Sequence, residues 1–239
     1  MKLRIATFNF WGLPWPLSVN KRKRLNYLIS SIKEWKIDIL ALQEVWLYYD
    51  IKYLRKRLPG YEVLAKFNYF NPSGLAFISR LPLTDVTYIP YQGDFFHKEF
   101  PARKGVLVSQ AKLNDKNIQL VNTHVFYSST KTQSKNQSDQ LNQLIRMLDS
   151  RPTILLGDFN VDYESLKMPE GFYIVSHLQK IIEDGHNIYR QSRFNKIDSS
   201  NRLPDMIFAN FPVEVKEKKI IFEPIMSDHY VLLSELEIG

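Results

Sequence analysis

The chain contains no cysteine. Neither a disulfide framework nor a thiolate metal site can form, so any metal centre has to be built from oxygen and imidazole. Long apolar runs are missing too: no window approaches the roughly 20 residues that a bilayer-spanning helix needs. Met1 to Asn9 read directly as a strand, with no basic segment and apolar stretch of an export signal before it. Repeats, low-complexity tracts and biased linkers are absent, and 239 residues suffice for one sizeable core. A single domain over residues 1–239, monomeric, and cytoplasmic or peripheral to a membrane, is therefore expected. Acidic residues are the scarcer charged class, 25 Asp+Glu against 32 Lys+Arg, which gives a net charge of +7. Such a surplus suits nucleic acid, phospholipid headgroups or a phosphorylated small molecule without choosing among them.

What is present reads as many strands with a few amphipathic helices. Residues 3–9 predict a strand, and 20–35 a helix with Leu25, Leu28, Ile29, Ile32 and Trp35 on one face. "KIDILALQE" (36–44) is a buried strand ending on a carboxylate, and "DIKYLRKRLPG" a short helix closed by Pro-Gly. Strand-like runs follow at 61–67, 74–80 and 84–90. "GVLVSQAKL" and "IQLVNTH" flank "NDKN", a hairpin signal. A second amphipathic helix carries Leu141, Leu144, Ile145 and Leu148, and "PTILLGDFN" is another buried strand. Further strands are expected near 205–210, 213–222 and 229–237. Strands that are apolar throughout are buried on both faces, which predicts a four-layer α/β/β/α sandwich.

One pattern recurs along these strands: an apolar run stops on a polar group. Asn9, Glu44, His124, Asp158 with Asn160, Asp205, and Asp228 with His229 all sit at such ends. Burying these groups without partners is costly, so their convergence on one edge of the sandwich is expected. Four carboxylates, two imidazoles and two amides suit phosphoester hydrolysis assisted by a divalent cation. Hard oxygen ligands bind Mg²⁺ or Mn²⁺, a carboxylate or imidazole activates water, and amides stabilise the charged phosphorane.

The blocks "TFNFWG", "LQEVW", "NTHV", "LLGDFNV", "RLPDMIF" and "MSDHYVLL" run in that order from residue 7 to 233. In order and spacing they resemble the endonuclease/exonuclease/phosphatase superfamily, whose fold is that of DNase I. The resemblance implies Glu44 as the main metal-binding carboxylate, with Asn9 supporting the same site and Asp228 reaching the metal. It implies Asp158 as the group that orients or deprotonates the attacking water, and Asn160 as the amide that holds a phosphate oxygen. His229 would contact the phosphate or share in base duty, with Asp205 fixing its tautomer. The chain departs from the family where Leu203-Pro204-Asp205-Met206 replaces the usual Arg-Ile-Asp-Tyr.

His124 and the opening loop narrow the resemblance further. Repair enzymes of the superfamily lack a histidine at the position of His124, whereas DNase I, inositol-polyphosphate phosphatases and sphingomyelinases have one, able to protonate the leaving oxygen. "NFWGLPWPLS", "LQEVW" and "ARKGVLV" are similar to neutral sphingomyelinases. A Mg²⁺-dependent phosphodiesterase acting on a phospholipid-type headgroup ester, in the manner of phospholipase C, is the expected function. A metal-dependent nuclease on DNA or RNA is the alternative, and a catalytically dead binding module a third reading that the intact polar set disfavours. Trp11 and Trp15 either face a membrane or substrate or pack beneath the site. Lys104 either steers phosphate or stabilises its own loop. "KRKR" (21–24) reads as a solvated helix start, and His97, His177 and His186 as surface or structural.

Overall fold

A computed structural model describes residues 1–66, 71–92, 103–127, 135–177 and 204–239. Two six-stranded sheets face one another. The first runs, in spatial order, β11 (Glu214–Ile221), β12 (Val231–Glu237), β1 (Lys2–Asn9), β2 (Ile39–Gln43), β4 (Ala76–Ser79) and β3 (Glu62–Leu64). The second runs β5 (Leu83–Pro90), β6 (Gly105–Leu113), β7 (Lys116–His124), β8 (Thr153–Asp158), β10 (Asp205–Ala209) and β9 (Tyr173–His177). Each sheet is antiparallel except for one central parallel pair, β1 with β2 and β7 with β8. Parallel neighbours need a crossover, and helices supply it: α1 (Lys21–Glu34) joins β1 to β2, and α3 (Lys135–Met147) joins β7 to β8.

The period of two along each strand divides the core into three layers. Leu3, Ile5, Ile39, Ala41, Leu120, Ile154, Leu156 and Ile207 fill the space between the sheets. The opposite faces meet helices: Phe8, Leu40 and Leu42 pack on Leu25, Leu28 and Ile32 of α1 and on Ile51 and Leu54 of α2 (Tyr48–Arg57). On the far side Val121, Leu155 and Phe208 pack on Leu141 and Leu144 of α3. The architecture is the expected α/β/β/α sandwich. The "NDKN" hairpin also forms, turning at Asn114, whose φ of 52° is one that asparagine tolerates.

Sequence patterning misses β9, a five-residue strand at a sheet edge whose apolar signal is confined to Ile174 and Val175. The strand expected at 61–67 is the shorter Glu62–Leu64, and residue 67 lies outside the described residues. The larger correction concerns Arg24. It is not part of a solvated helix start but fully buried. Its guanidinium donates to the carbonyls of Phe10 (2.6 Å), Trp11 (2.9 Å), Val19 (2.9 Å) and Met226 (3.0 Å), and to Ser18 Oγ. It also lies over the Phe10 and Trp11 rings. One cation thus ties the loop after β1 to the loop before β12, and both loops carry expected site residues. A planar fork with five donors can satisfy several buried carbonyls at once, which a lysine could not.

Arg24→Met keeps the apolar stem and orphans those carbonyls. A loss of about 3 kcal/mol, or a fall of roughly 6–12 °C in thermal midpoint, is expected. An unfolding midpoint equal to that of the wild type would contradict this role.

Candidate active site

The polar groups gather because each strand continues its inward-facing period to the last residue. In β1 the inward series Leu3, Ile5 runs on to Thr7 and Asn9; in β7, Ile118 and Leu120 run on to Asn122 and His124. In β8, Ile154 and Leu156 lead to Asp158, and β10 enters on Asp205 before Ile207 and Ala209. Register then aligns the ends: Asn9 stands beside Gln43, His124 beside Asp158, and Asp158 beside Asp205. Asp228 and His229 immediately precede β12, which is antiparallel to β1, so they arrive at the same edge. The carboxyl ends of both parallel pairs meet here, the place where open α/β sheets present their ligand sites.

A layer of amides lies one step below. Gln43 Nε2 donates to Asn122 Oδ1 (2.8 Å) and to Thr7 Oγ1 (3.1 Å). Asn122 Nδ2 crosses between the sheets to the carbonyls of Leu42 (2.9 Å) and Ala76 (3.0 Å). All three side chains are buried, and their mutual bonds fix one sheet against the other directly beneath the site.

In the upper layer Asn9 Nδ2 donates to Glu44 Oε1 (3.1 Å) and to Asp158 Oδ2 (2.9 Å). Its Oδ1 accepts the Trp11 N–H (3.0 Å), so the amide's orientation is fixed by its partners. Asp158 Oδ1 accepts the Asn160 N–H (2.9 Å), while Asn160 Nδ2 donates to the Val125 carbonyl (2.9 Å). Glu44 and Asn160 have φ of 59° and 53°, left-handed values that cost a non-glycine residue energy and here turn the side chains into the pocket. Gly12 sits against the turn at Glu44, donating its N–H to the Glu44 carbonyl at 2.8 Å. A Cβ at Gly12 would lie 2.3 Å from that oxygen, and one at Gly157 would lie 2.1 Å from the Thr123 carbonyl. Both glycines are demanded by close backbone approach.

The two histidines differ in charge. His229 Nδ1 donates to Asp205 Oδ2 at 2.8 Å, and its Nε2 lies 3.8 Å from Asp158 Oδ2. Burial opposes charging the ring, but Asp205, Asp158 and Asp228 outweigh it and hold His229 above the ordinary imidazole range. His124 is the reverse case: burial and the neighbouring Lys104 ammonium push it down to about 3. Lys104 Nζ donates to His124 Nε2 and to the Val125 carbonyl, both at 2.9 Å. His124 is therefore a neutral acceptor, and the charged proton donors beside Asp158 are His229 and Lys104. Burial also raises Asp158, but the charged His229 and Lys104, with the Asn9 amide, outweigh it and keep this carboxylate below its usual range.

Glu44 behaves differently. Burial, with the nearby Asp228 carboxylate, raises it to about 7 against the opposing effects of Lys104, Asn9 and His229. Glu44 and Asp228 offer hard oxygen atoms of the kind Mg²⁺ or Mn²⁺ takes, so the donor set fits a divalent cation. Asn9 supports that position by holding the Glu44 carboxylate with its nitrogen, since its oxygen is already engaged. Asp158, Asp205 and His229 also present atoms within 4.8 Å of one another, close enough to hold a metal. Their short Asp205–His229 hydrogen bond and the raised His229 favour a proton there instead.

The remaining candidates separate by exposure. Trp11 is buried against Arg24, beneath the loop, whereas Trp15 is 84% exposed. His177 stacks on Tyr163, a structural place, and His97 and His186 lie outside the described residues, as does Leu203. Gln43, Asn122 and Gln137 are not among the expected site residues, yet each supports the site; Gln137 donates from α3 to the carbonyls of Phe126 and Asn160. Asn122 has a legible signal, a polar residue that continues the inward-facing series Ile118 and Leu120 two positions before His124.

Residues 6–229 match the Endonuclease/Exonuclease/phosphatase family. Among curated relatives, human sphingomyelin phosphodiesterase 2 is 28% identical over 184 residues, covering 70% of this chain and 43% of that protein. The inositol phosphosphingolipids phospholipase C of Schizosaccharomyces pombe is 27% identical over 176 residues, 67% of this chain and 41% of its own length. The chain thus spans less than half the length of these two relatives. Among solved structures, Danio rerio TDP2 complexed with a single-strand DNA product superposes with a TM-score of 0.78 at 19% identity, covering 99% of each chain. That likeness concerns the fold; the match over nearly the whole sequence places this chain in the Endonuclease/Exonuclease/phosphatase family.

Proposed function

We propose that the chain is a divalent-metal-dependent phosphodiesterase, using Mg²⁺ or Mn²⁺, that hydrolyses a phospholipid-type headgroup ester. The observation that carries this reading is the Asn9 amide, which joins the Glu44 and Asp158 carboxylates while His229 stands between Asp158 and Asp205. Glu44 and Asp228 would hold the cation, which when bound neutralises charge on the phosphoryl oxygens. Asp158, kept ionised, orients the attacking water and takes up its proton. Asn160 contacts a phosphoryl oxygen with the amide hydrogen left over from Val125. His229, charged and aligned by Asp205, protonates the departing oxygen; Lys104 contacts the phosphate, and His124 holds Lys104 in place. The lipid substrate is supported by the names of the two curated relatives. A nuclease remains the second reading, favoured by the net charge of +7.

The deciding experiment is a substrate panel with Mg²⁺: sphingomyelin, phosphatidylcholine, lysolipids, plasmid DNA, RNA and bis-nitrophenyl phosphate. Lipid and small-diester hydrolysis with little nucleic-acid cleavage is expected, and the opposite pattern would establish the nuclease. Asp158→Asn and His229→Ala should each reduce turnover by about 10²–10⁴ while leaving the fold intact. Retention of more than about a tenth of wild-type turnover by either variant would overturn its assigned role.

Glu44 makes cation binding pH-dependent. Without a cation its folded value of about 7 stands above the ordinary glutamate value of 4.5. The group therefore favours the fold while protonated, at low pH, and this contribution is lost as pH rises through about 7. A cation competes with that proton. Mg²⁺ should raise the unfolding temperature clearly at pH 8 and much less at pH 6, with affinity falling about tenfold per unit below pH 7. The difference should disappear in Glu44→Gln. Equal shifts at both pH values would place the cation elsewhere.

A further inference from the structure

The loop after β1 and the first turn of α2 leave large apolar side chains in solvent at the edge that holds the site. Trp15 is 84% exposed, Tyr49 78%, Leu17 47% and Val19 36%. Asn9 ends β1 and Glu44 directly follows β2, the strands from which these segments emerge, and the Gly12 N–H bond to the Glu44 carbonyl joins the two segments at their base. Their helices are tied together as well: Lys21 pairs with the buried Asp50 at 2.9 Å, and the Arg22 guanidinium lies over the Tyr53 ring. The apolar residues therefore belong to one region rather than to scattered positions.

Charge in this region is one-sided. Arg22 and Lys23 stand exposed in the first turn of α1, which has no acidic residue, and Lys52 is exposed one turn from Tyr49 on α2. The exposed acid on the two helices is Glu34, at the opposite end of α1. Cations at a helix N-terminus work against the helix dipole, so the arrangement is poor for the isolated chain and suits an anionic partner.

We propose that this edge docks on an anionic phospholipid bilayer, with Trp15, Leu17, Val19 and Tyr49 entering the headgroup region and Arg22, Lys23 and Lys52 holding anionic lipids. Tryptophan and tyrosine favour that interface, and basic residues beside an apolar face add attraction to anionic lipid. A nucleic acid would use the same cations but gives Leu17 and Val19 nothing to enter. Docking there presents the pocket of Asn9, Glu44 and Asp158 to the membrane, so the proposal rests on the lipid-phosphodiesterase reading and adds selection of the surface on which it works.

The test measures binding apart from turnover, by co-sedimentation in EDTA with vesicles of phosphatidylcholine alone or mixed with phosphatidylserine. Wild type should bind the mixed vesicles more tightly, and added salt should weaken that binding. The triple variant Arg22→Gln, Lys23→Gln, Lys52→Gln should lose roughly 100-fold in affinity for them, at about fivefold per basic residue. Its turnover of soluble bis-nitrophenyl phosphate should stay at the wild-type level. Trp15→Ser should weaken binding to both vesicle types. Undiminished vesicle binding by the triple variant would overturn the proposal. So would loss of oligonucleotide binding in that variant with no wild-type vesicle binding, which would assign the surface to nucleic acid. Vesicle binding without lipid hydrolysis would instead leave the surface standing and reject the proposed reaction.

Discussion

The hydrogen bond from Asn9 Nδ2 to Asp158 Oδ2, 2.9 Å long and 149 residues apart in sequence, joins the two sheets at the site. On one side stands Glu44, just beyond β2 of the first sheet; on the other stand Asp158, His124 and Asp205 in the second. Neither sheet alone carries the set, so the chemistry depends on how the layers are aligned. The Gln43–Asn122 bond and the reach of Asn122 to Leu42 and Ala76 set that alignment one layer down. A slip of one residue in any of these strands would turn its polar end away from the pocket.

Concentrating carboxylates and imidazoles at a buried edge works against folding, and the structure meets that cost in distinct ways. Asp158 is stabilised by amide donors and neighbouring cations, and Asp205 shares a proton position with His229. Glu44 instead keeps its proton up to about pH 7, because burial and the Asp228 carboxylate outweigh Lys104, Asn9 and His229. That uneven treatment divides the labour proposed here: a proton-handling half around His229 and a cation-holding half around Glu44. Arg24 serves both halves from behind, since its guanidinium secures the loop that follows Asn9 and the loop that leads into Asp228 and His229.

Much of this was legible in the sequence because the site residues end apolar strands, where period and polarity conflict. Asn9, His124, Asp158 and Asp205 stood out for that reason, and the structure brings them to one edge. Asn122 and Gln43 were not legible as a network, because only the facing of the sheets makes them partners. The burial of Arg24 is not legible: a run of four basic residues reads as solvated, and its burial follows from carbonyls contributed by residues as distant as Met226. The charge states of the histidines were equally hidden. Nothing in "NTH" reports that burial, with Lys104 only 2.9 Å away, keeps His124 neutral. Trp11 and Trp15, four residues apart, diverge into packing and exposure because Arg24 captures one and leaves the other.

The coupling of the two halves through Asn9 can be measured by a double-mutant cycle of Asn9→Leu and Asp158→Asn, read as kcat on bis-nitrophenyl phosphate with Mg²⁺. If the Asn9 amide acts by holding Asp158 against Glu44, Asn9→Leu should cost much turnover in the wild type and far less once Asp158 is already impaired. Equal losses in the two backgrounds would mean that the sheets contribute independently, and would contradict a site assembled across them.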